Sequence, residues 1–314
     1  MNKLSCLFVM TLSAFSVIAL GETMKDYAVD KELGKGTFTD QIGYIAFDAK
    51  ERLLVPQGSM IMIIDPVTGE TVTSFDSGIK PITSIAADAT SIYVMSVKTE
   101  QKTREISGKK FQMNTPVGVI CNKFDMQGKN VKEISLPEAK SARSARIHKG
   151  QLYLADTQTR KVLVYNLSTG KKVAEIGNNL RLCCGIFDFC VDQKTGDVLI
   201  ANLGAFAVQR YTESGQLQNA FGKRGEAESE FGGCCNPVSV EVLSDGNLVT
   251  VEKDPSKVKL YDPQGKLLAS LPGVTKLVEG CGRVPVIRDS KNNIFIAANR
   301  RGNVAVLKCS PKAK

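Results

Sequence analysis

Apolar and polar residues alternate in short stretches along almost the whole chain, each stretch bounded by a polar turn, and no stretch keeps a helical period. Lys257-Val258-Lys259-Leu260-Tyr261 is typical and predicts a half-buried strand. Two landmarks recur. The first is a pair of apolar residues just after a polar turn: Leu53-Leu54, Ile92-Tyr93, Leu152-Tyr153, Val198-Leu199, Leu248-Val249 and Ile294-Phe295, in steps of 39, 60, 46, 50 and 46 residues. The second is an apolar or aromatic residue, then Asp, Asn or Thr, then a glycine-bearing turn: Ile64-Asp65…Gly69, Phe124-Asp125…Gly128, Tyr165-Asn166…Gly170, Tyr211-Thr212…Gly215 and Tyr261-Asp262…Gly265. A repeat of this length built from short strands predicts an all-β fold, a six-bladed β-propeller of four-stranded antiparallel blades. The sixth unit reaches the C-terminus with no room for a fourth strand. Tyr27 to Leu33, followed by Gly34-Lys35-Gly36, matches Leu217 to Phe221 followed by Gly222-Lys223-Arg224-Gly225. The N-terminal strand is therefore expected to complete the last blade, which removes two raw sheet edges.

The repeats carry a resemblance. The stretch PVSVEVLSDGNLVTVE (residues 237–252), preceded by Gly222 and Phe231 and followed by KVKLYD (257–262) and Gly265, resembles an NHL repeat. So does LYLAD (152–156) with KVLVY (161–165). The resemblance covers most of the chain after its leader and is strongest in the third to fifth units. It implies the propeller fold and says little of function, because that fold hosts lyases, esterases and pure binding scaffolds. The amidating lyases of the family hold a metal through histidines around the axis. This chain has one histidine, His148, so that activity is not implied, nor is any site that needs several imidazoles.

Residues 1–21 stand outside the repeat. Lys3 gives a positive start, Leu4 to Leu20 an apolar run, and Ala19-Leu20-Gly21 a cleavage site with small residues at −3 and −1. The expected arrangement is a signal peptide at 1–21 and one propeller domain at 22–314, in a periplasmic or extracellular protein with no stable membrane span once the signal is removed. A retained anchor is the alternative, though the run is short for one. No twin arginine precedes the run, so export of an unfolded chain is expected and any metal is acquired afterwards. The net charge of +9 is spread without a block of five like charges, which points to solubility and away from nucleic acid. A monomer is expected.

Nine cysteines then take on meaning. Cys6 leaves with the signal. When the units are aligned, Cys183-Cys184 fall on Cys234-Cys235, and Cys281 falls on Cys235. Three neighbouring blades thus carry thiols just before their innermost strands, at the mouth of the central channel. Cys183, Cys184, Cys234, Cys235 and Cys281 are the candidate metal ligands: soft sulfur suits Cu(I), Zn or an Fe–S cluster. Such a site serves redox chemistry, electron transfer or metal handling, with a redox or protein partner on the cysteine-bearing face. The alternative is a disulfide-stabilised binding scaffold, including strained vicinal bridges within Cys183-Cys184 or Cys234-Cys235. No CxxC spacing decides between them. Glycines 185, 232, 233, 280 and 282 crowd the same loops.

Other residues are placed by the repeat. Gln57, Asp156, Asn202, Glu252 and Asn299 end second strands, where such residues tie down loops. Glu252-Lys253 lies on the cysteine face and is a candidate to offer a carboxylate or a charge to a ligand. Arg143, Asp188, Cys190 and Glu241 are expected to line the channel. The second unit is longer than its neighbours, and its extra segment (98–115) predicts a basic hairpin on the cysteine face. His148 is expected in an exposed turn on the opposite face, with Cys121 and Cys309 as inert structural thiols.

Overall fold

The computed structural model describes residues 27–311 apart from 273 and 275, so the expected leader lies outside the described residues. Six four-stranded antiparallel sheets follow one another around an axis. In chain order the strands are β1 (Tyr27–Leu33); β2 (Ala46–Phe47), β3 (Leu53–Gln57), β4 (Met60–Ile64) and β5 (Thr71–Asp76) in blade 1; and β6 (Ser84–Ala87), β7 (Ser91–Ile106), β8 (Lys109–Asp125) and β9 (Asn130–Leu136) in blade 2. Blade 3 holds β10 (Ala145–His148), β11 (Gln151–Asp156), β12 (Lys161–Asn166) and β13 (Lys172–Ile176). Blade 4 holds β14 (Phe189–Val191), β15 (Val198–Asn202), β16 (Ala207–Tyr211) and β17 (Leu217–Phe221). Blade 5 holds β18 (Ser239–Val242), β19 (Leu248–Lys253), β20 (Ser256–Tyr261) and β21 (Leu267–Ser270). Blade 6 holds β22 (Val286–Arg288), β23 (Ile294–Arg300) and β24 (Asn303–Pro311), and β1 completes it. The chain is thus a six-bladed β-propeller closed by its N-terminal strand, with Leu33 opposite Val306 and Val29 opposite Cys309.

Burial follows position in the blade. Second strands such as β3 and β15 are packed against neighbouring blades on both faces and are buried throughout, so they read as continuous apolar runs. The outermost strand β5 is almost wholly exposed and carries Thr71, Thr73 and Ser74. The core is a set of wedges between blades, for instance Leu199, Val208, Val240 and Phe231 between blades 4 and 5.

The second sequence landmark has a structural cause. In five blades the ladder between third and fourth strands shifts register just before the landmark residue: Ile64, Phe124, Tyr165, Tyr211 and Tyr261. The next residue then caps the turn through its side chain. Asp65 Oδ1 accepts from the Val67 and Thr68 amides, and Asp262 Oδ1 accepts from Gln264 and Lys266. The turn closes through a glycine at φ between 70° and 90° in all five cases, a conformation that penalises a β-carbon.

Blade 2 departs from the pattern. β7 and β8 run far past β6 and β9 as a two-stranded ribbon, paired from Lys98–Gly118 to the tip at Ile106–Lys109. By alternation Lys102, Arg104, Ile106, Lys109, Phe111 and Met113 share one face, and Ile106, Phe111 and Met113 are exposed.

Candidate metal centre

The cysteine loops are shaped by the side chains that end the second strands. Asn202 Oδ1 accepts from the Arg181 amide at 2.8 Å, and Glu252 Oε2 accepts from the Gly232 amide at 3.0 Å. Asn299 binds both the Ile42 amide and the Ile42 carbonyl, and Gln57 and Asp156 hold the loops of blades 1 and 3 in the same way. These residues brace the mouth. Glu252 therefore does not face the thiols: it is fully buried and its other oxygen lies 2.6 Å from Lys259 Nζ. Its neighbour does reach them. Strand alternation turns Lys253 the other way, and its Nζ lies 3.4 Å from Cys281 Sγ and 4.0 Å from Cys184 Sγ.

Register confirms that the three loops are equivalent. Arg146, Cys190, Glu241 and Ile287 face Tyr153, Leu199, Val249 and Phe295, the same position of each first-strand pairing. Cys184, Cys235 and Cys281 each lie six residues before that position. In blades 1 to 3, counted from Ala46, Ala86 and Arg146, the station holds Asp40, Lys80 and Lys140. One half of the mouth is sulfur and the other half is charge.

Within each vicinal pair the second residue is left-handed, Cys184 at φ 55° and Cys235 at φ 58°. This turns both sulfurs of a pair to one side, 3.3 Å apart in Cys183-Cys184 and 3.4 Å apart in Cys234-Cys235. Gly233 allows the second loop to form. A β-carbon there would lie 1.9 Å from the Asp254 carbonyl oxygen, and its φ is 62°. The sulfurs of Cys183, Cys234 and Cys235 all lie within 4.8 Å of one another. Cys184 hydrogen-bonds to Cys281, so the five thiols form one connected set across blades 4, 5 and 6. All eight described cysteines are free.

Two members of the set are acidic. Cys183 lies below the usual thiol range because Cys235 and Cys184 hydrogen-bond to it, with the Lys253 charge adding to the effect. Cys281 is lowered by hydrogen bonds from Cys184 and Lys253. Two others move the opposite way: Cys184, which donates to Cys281 and Cys183, and Cys235, where burial leads and its bonds to Cys183 and Cys234 add, are each pushed up to about 12. Burial pulls the Lys253 ammonium down, but its bond to Cys281 and the nearby sulfur charge outweigh that and raise it. Cys183 and Cys281 are thus the more acidic members of the cluster, and Cys184 and Cys235 the members that hold their protons.

The remaining placements correct or sharpen expectation. Arg143 and Asp188 line the channel, and Glu241 lines its far mouth. Cys190 does not. It is 1% exposed and turned into the wedge between blades 4 and 5, because an innermost strand offers its short side chains to the adjoining blade. Glu241 is buried, and burial pushes its carboxyl up to about 7 against the pull of Arg146 and Arg288. His148 is not in an exposed turn: it ends β10, is 4% exposed, and its Nδ1 lies 2.9 Å from Gln193 Oε1 of blade 4. Lys149 and Gly150 take the turn instead. Cys121 and Cys309 are buried, and burial pushes both thiols up to about 12.

No family model matches the chain, and no curated protein matches it. Among solved structures it is similar to a protein of unknown function from Bacteroides caccae, at 16% identity over 78% of this chain and 81% of that one, with a TM-score of 0.50. The likeness is one of fold.

Proposed function

We propose that the protein binds a soft metal ion through the cysteine cluster at its channel mouth, with copper(I) the ion that fits best and metal handling the role. The observation that supports this most is the Cys183, Cys234 and Cys235 triad, whose sulfurs lie within 4.8 Å of one another. A metal–thiolate bond of about 2.3 Å sets sulfurs roughly 4 Å apart in a trigonal site, so small rotations of χ1 complete it. Thiolate-only coordination without histidine suits Cu(I) and, with Cys184 or Cys281 as fourth ligand, Zn; a cluster of iron and sulfide is the third candidate. Cys184, Cys234 and Cys281 are exposed, which favours loading and release over permanent burial. Cys183 and Cys281 are the more acidic thiols and give up their protons first, and metal then displaces protons from the others.

The reading includes NHL-type repeats, export to a periplasmic or extracellular site behind a cleaved leader, and a monomer. The ribbon of blade 2 stands across the ring from blade 5 on the same face. Its Lys102, Arg104 and Lys109, interleaved with exposed Ile106, Phe111 and Met113, suit an acidic protein partner that delivers or collects the metal. A second reading, a disulfide-stabilised scaffold, draws on the vicinal sulfurs at 3.3 and 3.4 Å.

The test is an anaerobic Cu(I) titration of reduced protein against a chromophoric chelator. The expected result is tight uptake by the wild type, and at least a hundredfold loss in Cys183→Ser and Cys235→Ser with the propeller still folded. Wild-type affinity no better than that of these variants would overturn the proposal.

A further inference from the structure

Side chains drawn into a fold carry a charge only where something answers it, and four of the seven half-buried arginines among the described residues pair with a carboxylate. Arg52 meets Asp48 at 2.7 Å, Arg210 meets Asp197 at 3.0 Å, Arg300 meets Glu32 at 2.7 Å, and Arg146 lies 3.7 Å from Asp188. Arg143 and Arg283 are different. Neither has a carboxylate within ion-pair distance among the described residues, yet both line the upper channel. They come from blades 3 and 6, on opposite sides of the ring, and converge on the hydroxyl of Tyr44 from blade 1. Arg283 Nη1 donates to it and the guanidinium stacks 5.1 Å from the ring centroid, and Arg143 bonds to the same oxygen. Burial holds the Arg143 guanidinium below its usual range, and the charge of Arg283 lowers it further.

Two donors at this level have no acceptor. Arg143 Nε is buried and unpartnered, and so is the hydroxyl of Ser84, a residue only 1% exposed. One oxygen of Asp188, which lines the same constriction, is engaged by the Ser144 hydroxyl at 2.7 Å and by Arg146 at 3.7 Å, and its other oxygen is buried without a partner. Beside it, a cavity of about 350 Å³ lined by Arg283, Tyr44, Cys184 and Cys281 opens to the cysteine face, and Arg143 borders it through its bond to the Tyr44 hydroxyl. The Gly185 and Gly43 loops pass close to the pair: a β-carbon at either would stand about 4 Å from a guanidinium nitrogen, in ordinary contact. Two like charges, held together and short of acceptors, form a site for an anion.

We propose that Arg143 and Arg283, positioned by Tyr44, bind a small oxyanion at the floor of the cysteine-lined mouth. The ligand class is a dianion of sulfate size: its oxygens accept from both guanidinium groups, and charge-assisted bonds of this kind are about twice as strong as neutral ones. Arginine suits the task because its planar fork meets two oxygens at once. The site is independent of whether the cluster holds a metal. When the cluster holds a metal with Cys184 or Cys281 as fourth ligand, an oxyanion with a terminal sulfur, such as thiosulfate, would have both the anion site and the metal within its surroundings.

The test is isothermal titration of reduced, metal-free protein with sodium sulfate and sodium thiosulfate in low-chloride buffer. One saturable site is expected for each salt. Arg143→Gln and Arg283→Gln should each weaken sulfate at least tenfold, while Lys129→Gln in an exposed turn of blade 2, a control for general charge, should not. Tyr44→Phe, which keeps both charges and the ring, should weaken sulfate by less. Unchanged melting temperatures show that the variants are folded, and a misfolded arginine variant passes the decision to Tyr44→Phe and the wild-type stoichiometry. No saturable sulfate binding, or binding equal in wild type and both glutamine variants, would overturn the site. Because no metal is present, that outcome leaves the metal-binding reading untouched. Equal affinity for the two salts identifies a plain oxyanion site.

Discussion

Glu252→Gln isolates the brace that holds the Cys234-Cys235 loop. Glu252 and Lys259 are both fully buried, 2.6 Å apart, and the other Glu252 oxygen accepts from the Gly232 amide. Glutamine keeps the shape and the bond to Gly232 but removes the charge. The Lys259 ammonium then retains only the Glu230 carbonyl at 2.6 Å and the face of Phe231 at 5.5 Å. Breaking one side of a buried pair costs about 3–5 kcal/mol. At roughly 2–3 °C per kcal/mol for a domain of this size, the melting temperature should fall by roughly 6–15 °C at pH 7. Thermal and urea unfolding at pH 7 measure it, and the double variant Glu252→Gln/Lys259→Met should recover most of the loss. A single variant within about 1 kcal/mol of wild type would refute the buried pair as the brace.

Further outcomes follow from the same structure. Iodoacetamide at pH 7, mapped by mass spectrometry, should label Cys183 and Cys281 first and leave Cys121, Cys190 and Cys309 unlabelled in native protein; Lys253→Met should slow Cys281. Cu(I) affinity should rise between pH 6 and 8, because binding must displace protons from Cys184 and Cys235; a flat profile in competition titrations contradicts the thiol assignment. Glu241 is pushed up to about 7, above its unfolded value, so the folded state holds the extra proton and stability is lost as pH rises from 4.5 through 7. The loss amounts to up to about 3 kcal/mol, and Glu241→Gln should flatten that part of the unfolding profile. Gly233→Ala should lower the melting temperature and Cu(I) uptake together, since its β-carbon meets the Asp254 carbonyl oxygen.

Much of this was legible because repetition turns counting into geometry. Once Val198-Leu199 and Leu248-Val249 are matched, Cys184 and Cys235 must occupy one station, and the ring brings neighbouring stations together. The closing strand was legible for the same reason. What resisted was direction. Cys190 shares a register position with Glu241, but a short apolar side chain turns into the wedge between blades while a charged one reaches the channel mouth. The Glu252-Lys253 dipeptide stood out, yet alternation alone does not say which of the two is buried under the blade; the partner Lys259 decides it. His148 was misplaced because the turn falls one residue later, on Lys149-Gly150. Arg283 and Tyr44 gave no signal at all, since their meeting with Arg143 depends on three blades facing one another across the channel.

The most direct measurement is elemental analysis combined with free-thiol titration on protein expressed with its own leader and purified without added metal. Metal binding at the cluster predicts about one soft metal ion per chain, and thiols that become reactive when a chelator removes it. Protein free of metal, with four or more cysteines locked as disulfides, would contradict it.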